Sequence, residues 1–109
     1  MDRQIDLRGG SGALYRFREI EGTQVRTPTG GDFAYVILRD DLPEVIYVGA
    51  TPSLSAGAHE RWGEAVSRHG ATHLFVRLNV SSATRDQELQ DLVEGLRPPM
   101  NAMSAADGR

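Results

Sequence analysis

Cysteine and lysine are both absent from this 109-residue chain. Without cysteine there is no disulfide and no thiolate metal site. Without lysine there is no Schiff-base nucleophile and no ammonium group to hold a phosphate. All twelve basic side chains are therefore arginine, and a GC-rich coding sequence is the plainest source of that bias. Histidine is scarce, confined to His59, His69 and His73. His69 and His73 flank a turn with no acidic residue at close spacing, which argues against a histidine metal site. No apolar run has the length of a membrane span, and "MDRQIDLRGG" lacks the apolar core of a signal peptide. The expected setting is cytoplasmic, with no membrane partner. The formal net charge of −3 argues against a protein that coats nucleic acid through bulk charge. A local basic groove stays open, because arginines can gather on one face.

What is present suits one small domain over residues 1–109, with 39% hydrophobic and 25% charged residues. Residues 1–12 end in "RGGSG" and read as a flexible, turn-rich lead-in. "ALYRFREI" alternates between apolar and charged residues, the pattern of a strand, and "QVRT" reads as a short partner strand. "FAYVIL" (33–38) and "EVIYVG" (44–49) are apolar strands joined by the polar turn "RDDLP", which predicts a hairpin covered on both faces. Thr51 before Pro52 reads as a helix start, and the periodicity settles into a helix from Ala58 to His69 that Gly70 stops. "THLFVRLNV" (72–80) predicts another strand. Thr84 with Gln87 forms a capping box for a second helix. That helix carries an apolar stripe of Leu89, Leu92, Val93 and Leu96 and ends at Pro98–Pro99. Residues 102–109 read as a frayed tail. The order of elements predicts an α+β fold.

"FAY", then "YVG" with its tyrosine twelve residues after Tyr35, then helix, strand, helix and "PPMN", together resemble the GIY-YIG nuclease family. The residues that carry the resemblance are Tyr35, Tyr47-Val48-Gly49, Thr51, Leu54 and "LVEGLRPPMN", within a core of residues 33–101. The resemblance implies a small central antiparallel sheet of three strands flanked by helices, which an N-terminal strand or hairpin would extend. It implies endonuclease chemistry, the hydrolysis of a phosphodiester with one divalent metal, Mg²⁺ or Mn²⁺. It also implies a metal-binding glutamate on the later helix, a strand tyrosine handling the nucleophile's proton, and an arginine on the first helix over the phosphate. Such a reaction needs a Lewis acid, a proton acceptor and a cation at the developing charge.

Mapped onto this chain, the catalytic candidates are Tyr35, Tyr47, Arg61 and His59. Gly49, Arg61 and Arg85 are the candidates for contact with nucleic acid, and Glu88 is the candidate metal ligand. Two positions depart from the family pattern. The slot for arginine holds Gly57, with Arg61 one helical turn further on, and the slot for the carboxylate holds Leu89, with Glu88 one place earlier. The first motif has also lost its glycine and isoleucine to Phe33 and Ala34. Asn101 reads as a clamp whose amide satisfies free backbone groups. The chain is therefore expected to be a GIY-YIG-like domain with weakened or lost cutting, or a non-catalytic nucleic-acid- or protein-binding module on the same fold. Its expected partner is a nucleic acid, DNA ahead of RNA, or another protein.

Overall fold

The structure is a computed structural model and describes residues 3–20 and 25–101. The tail expected over 102–109 lies outside the described residues, as does the first residue of "QVRT". Among the described residues five antiparallel strands form one sheet in the order β1-β2-β5-β3-β4. They are β1 (Gln4–Arg8), β2 (Leu14–Glu19), β3 (Gly31–Arg39), β4 (Leu42–Thr51) and β5 (His73–Leu78). The helices are α1 (Leu54–Gly57), α2 (Trp62–His69) and α3 (Ser82–Leu96). The α+β class expected from the sequence is the one found.

The β3–β4 hairpin forms where the apolar runs predict it. Its turn is Asp40–Asp41, both with positive φ (51° and 64°). Two left-handed residues in a two-residue loop match the right-handed twist of the flanking strands, and glycine is the usual second residue there. Asp41 pays a steric penalty that glycine would not, and its contact with Arg3 is long (3.9 Å) and exposed. Asp41→Gly is therefore expected to stabilise the domain by about 0.5–1 kcal/mol, read as a higher urea midpoint at unchanged slope.

Register shifts once along the hairpin. Tyr35 lies opposite Tyr47, but Val36 lies opposite Val45, so Ile46 is an extra residue on β4. The bulge lets Ile46 and Tyr47 pack against the same cluster. That cluster lies between one sheet face and the α1–α2 segment and contains Phe33, Tyr35, Ile37, Leu54, Ala58, Ala65, Leu74 and Val76. On the opposite face Leu7, Phe17, Ala34, Val36, Val48 and Phe75 pack with Leu92 of α3, and Leu89 and Leu96 flank them. Alternation along β3 sends Phe33 and Tyr35 one way and Ala34 and Val36 the other. Both faces are covered, as the unbroken apolar runs imply. The sheet curls around α3, which contacts both edge strands, β1 and β4.

Four local expectations are corrected. The lead-in is not all loose, because Gln4–Arg8 forms β1, paired antiparallel with β2 from Gln4↔Arg18 to Arg8↔Leu14. Short as it is, β1 has one apolar side, with Leu7 buried and Ile5 half-buried. Residues 25–29 form no strand. Their backbone instead accepts from the start of α1, through Thr27 O from Ser55 N and Thr29 O from Leu54 N. The helix expected over 58–69 is shorter, with α2 beginning at Trp62, and a separate short helix, α1, precedes it with Ser53 at its N-cap while Thr51 ends β4. The last helix is capped three residues earlier than expected. Ser81 is its N-cap and accepts from the Thr84 backbone N–H at 3.3 Å.

Candidate functional site

Three of the predicted site residues, Tyr35, Tyr47 and Arg61, do meet. Tyr35 and Tyr47 face one another across β3–β4 with ring centroids 5.4 Å apart, and Trp62 stands edge-on to Tyr35 at 5.3 Å. The Arg61 guanidinium lies over the Tyr47 ring, 5.1 Å from its centroid. His59 lies in the link between α1 and α2 just before Arg61. The β-strands fix the tyrosines and the break between the helices brings Arg61 over them.

Tyr35, Arg61 and His59 are already committed. The Tyr35 hydroxyl donates to Ala58 O at 2.7 Å and accepts from the Arg61 backbone N–H at 3.2 Å. The residue is fully buried, and burial pushes its phenol pKa well above the usual range. Such a hydroxyl ties the α1–α2 link to the sheet and cannot take a proton near neutral pH. Arg61 forms a fork on Glu64, with Nε–Oε1 at 3.2 Å and Nη2 at 2.9 and 3.1 Å from the two oxygens. His59 Nε2 accepts from the Val25 backbone N–H at 3.1 Å, so its ring holds the segment that covers α1.

The two glycines that frame the motif serve packing. A Cβ on Gly57 would collide with the Thr51 side chain, which itself bonds to Ser53 N and Ser53 O. The slot where the family pattern has arginine therefore has no room for any side chain. Gly49 lies buried under the Phe33 ring, its direct cross-strand partner. The glycine expected at a nucleic-acid contact is thus covered by an aromatic ring. Asn101 does clamp backbone: it accepts from Val48 N and donates to Val48 O, both at 2.8 Å, along the outer edge of β4.

Glu88 is elsewhere. Its helix, α3, packs on the sheet face opposite the tyrosines. Its carboxylate forms a bidentate pair with Arg77 of β5 at 3.0 and 3.1 Å. Beside it lies Asp32 of β3, fully buried, and among the described residues neither Asp32 oxygen has a hydrogen-bond donor. The Glu88 carboxyl can bond to it only if one of the two acids carries a proton. Burial, then the Glu88 contact, pushes Asp32 up to about 8, and Glu88 is held below the usual carboxylate range despite its own burial, chiefly by Arg77. Arg85, also buried, turns away to the carbonyls of Asn79 (3.1 Å) and Val80 (2.9 Å). The guanidinium expected at nucleic acid is thus bonded to backbone carbonyls.

The Mg²⁺ or Mn²⁺ implied by the resemblance does not suit this donor set. Two acids share one buried spot, but the Arg77 guanidinium occupies the cation position on Glu88, and Arg85 adds a second positive charge nearby. Among the described residues no group of three or more His, Cys, Asp or Glu comes together to hold a metal ion. Sequence reasoning missed Asp32 and Arg77 because "PTGGD" has the composition of a turn and a lone arginine in an alternating strand does not reveal its partner. A signal was there: an aspartate directly joined to a fully apolar run is well placed to be drawn into the sheet with it.

No family model, no curated protein and no solved structure matches this chain.

Proposed function

We propose that this chain is a GIY-YIG-like domain that has lost phosphodiester cleavage and serves as a non-catalytic binding module. The observation that carries the reading is the separation of the two halves of the expected site. The tyrosines and Arg61 lie on one face of the sheet, while Glu88 lies on the other, held by Arg77. Catalytic groups tolerate only small displacements, so a sheet between carboxylate and hydroxyls supports a domain that does not cut. A protein or small-molecule partner fits better than a nucleic acid. Arg16, Arg39, Arg61 and Arg77 are each engaged by a carboxylate, and the formal net charge is −3, so a polyanion meets little overall attraction.

The test is nicking of supercoiled plasmid with added Mn²⁺ or Mg²⁺, with binding to duplex DNA measured across a salt series. The expected outcome is intact plasmid, with no binding at moderate salt. Metal-dependent nicking that disappears in Glu88→Gln, with the fold retained, would overturn the reading. Tight, steeply salt-dependent binding without nicking would keep the loss of cutting and replace the partner with a nucleic acid.

A further inference from the structure

A cavity of about 430 Å³ lies away from the tyrosines, where the two edge strands of the curled sheet approach each other. β1 lines it with Asp6, Leu7 and Arg8, and β4 with Pro43, Glu44 and Val45. The end of α3 adds Leu96, and Arg97 and Pro99 follow. Leu7, Val45 and Leu96 also belong to the core on the α3 side, so the cleft opens onto apolar side chains. Its volume is in the range of small-ligand sites.

The lining carries two acids and two arginines, but they are not paired with one another. Asp6 is paired with Arg16 at 2.9 Å, and Glu44 with Arg39 at 3.6 Å, both arginines standing outside the lining. Among the described residues the arginines of the lining have no such partner. Arg8 makes one 3.3 Å bond, to the Gly12 carbonyl. Among the described residues the Arg97 side chain forms no hydrogen bond or ion pair. Two guanidiniums with spare donors thus share a cavity with an apolar floor.

Arg97 is also held against its local preferences. It closes α3 in the left-handed conformation (φ 47°, ψ 56°), donating its N–H to Val93 O at 2.9 Å. Glycine is the usual residue at such a helix end, and the residue before a proline favours extended backbone. Here an arginine takes the position, directly before Pro98. A backbone strained this way at the mouth of a cavity points to a function for the side chain.

We infer that the cleft between β1 and β4 binds a small carboxylate carried on an apolar body, with Arg97 and Arg8 holding the carboxylate. A guanidinium fork matches the planar carboxylate, and Leu7, Val45, Leu96, Pro43 and Pro99 meet the apolar part. The site does not depend on the loss of cutting proposed above, since none of its residues belongs to the tyrosine face or to the Glu88 cluster.

The test is a titration of the ¹⁵N-labelled protein with octanoate, 3-phenylpropionate, octanamide and inorganic phosphate. The two acids should give saturable amide shifts confined to Leu7, Arg8, Val45 and Leu96–Arg97, and the neutral amide should give none. Arg97→Gln should weaken octanoate binding about tenfold or more, and Arg8→Gln about threefold. Arg97→Gly should lose binding as fully while the melting midpoint stays level or rises, because glycine relieves the left-handed strain. No saturable shift with either acid would overturn the inference, as would equal binding of octanamide or of phosphate alone. A midpoint that falls by more than about 3 °C in Arg97→Gly would overturn it too, by making Arg97 a structural cap. The plasmid assay reads different residues, so failure here and failure of the proposed function are distinguishable.

Discussion

Gly49→Ala is expected to destabilise the fold by about 3 kcal/mol, a large part of the stability of a domain this size. Gly49 and Phe33 are paired residues on neighbouring strands, and two carbons of the Phe33 ring lie 2.9 Å from where an alanine Cβ would stand. The ring cannot swing aside at low cost. It is 4% exposed and packs against Tyr35 (centroids 5.5 Å) and Tyr47 (6.0 Å). An aromatic laid over a cross-strand glycine restores the contact that the missing side chain gives up, and this is how the glycine is tolerated inside a strand. Phe33→Leu should relieve the clash. In that background the added cost of Gly49→Ala is expected to fall below about 1 kcal/mol, a strongly non-additive pair. Urea unfolding of the four variants measures the coupling, and additive costs would show that the two residues do not depend on each other. The glycine of "YVG" and the phenylalanine at the start of "FAY" are then one structural unit, formed by two residues that the family pattern treats separately.

The same pair shows what the sequence could and could not convey. Two apolar runs and a polar turn were enough to place β3, β4 and the turn between them, because hairpin pairing is local. The stripe Leu89, Leu92 and Leu96 was enough to give α3 its apolar face. Neither pattern says which side of the sheet a helix will cover. That choice separates Glu88 from Tyr35 and Tyr47, and it is set by the path of the chain from β5 into α3. The slot at Gly57 was equally opaque, since its small size answers to Thr51 at the far end of β4. β1 went unread because five residues with two apolar positions carry too weak an alternation to stand out from the glycines that follow. The charged cluster was legible only in part: Glu88 was singled out as a metal ligand, whereas its partner is a guanidinium from β5.

That cluster sets the pH dependence of the protein. Asp32 faces Glu88 and Arg85 of α3 and Arg77 of β5, and nearby Tyr15 of β2 has its phenol pKa raised chiefly by its hydrogen bond to Asp91, with Glu88 adding a smaller push. Burial, with the Glu88 contact second, lifts Asp32 from 3.8 to about 8. A carboxyl whose folded pKa is raised binds its proton more tightly in the native state than in the unfolded one. Its contribution is fully present below about pH 4 and is lost as pH rises towards and through 8. Glu88 works in the opposite direction. Its folded pKa is lowered, so its contribution is present at neutral pH and lost as the solution is acidified below the usual glutamate range. Stability should therefore peak in mildly acidic solution and decline on the alkaline side. Asp32→Asn keeps the shape of the buried group, supplies Glu88 with a permanent donor and removes the titration. At pH 8.5 the variant is expected to be more stable than the parent by about 2 kcal/mol, a value set well below the full linkage sum because buried sites relax and admit water. At pH 5, where Asp32 carries its proton, the two should differ by less than about 1 kcal/mol. Urea unfolding at a series of pH values measures both curves. Parallel curves for parent and variant would mean that Asp32 is ionised in the folded protein, with Arg77 and Arg85 together sufficient to hold two adjacent carboxylates.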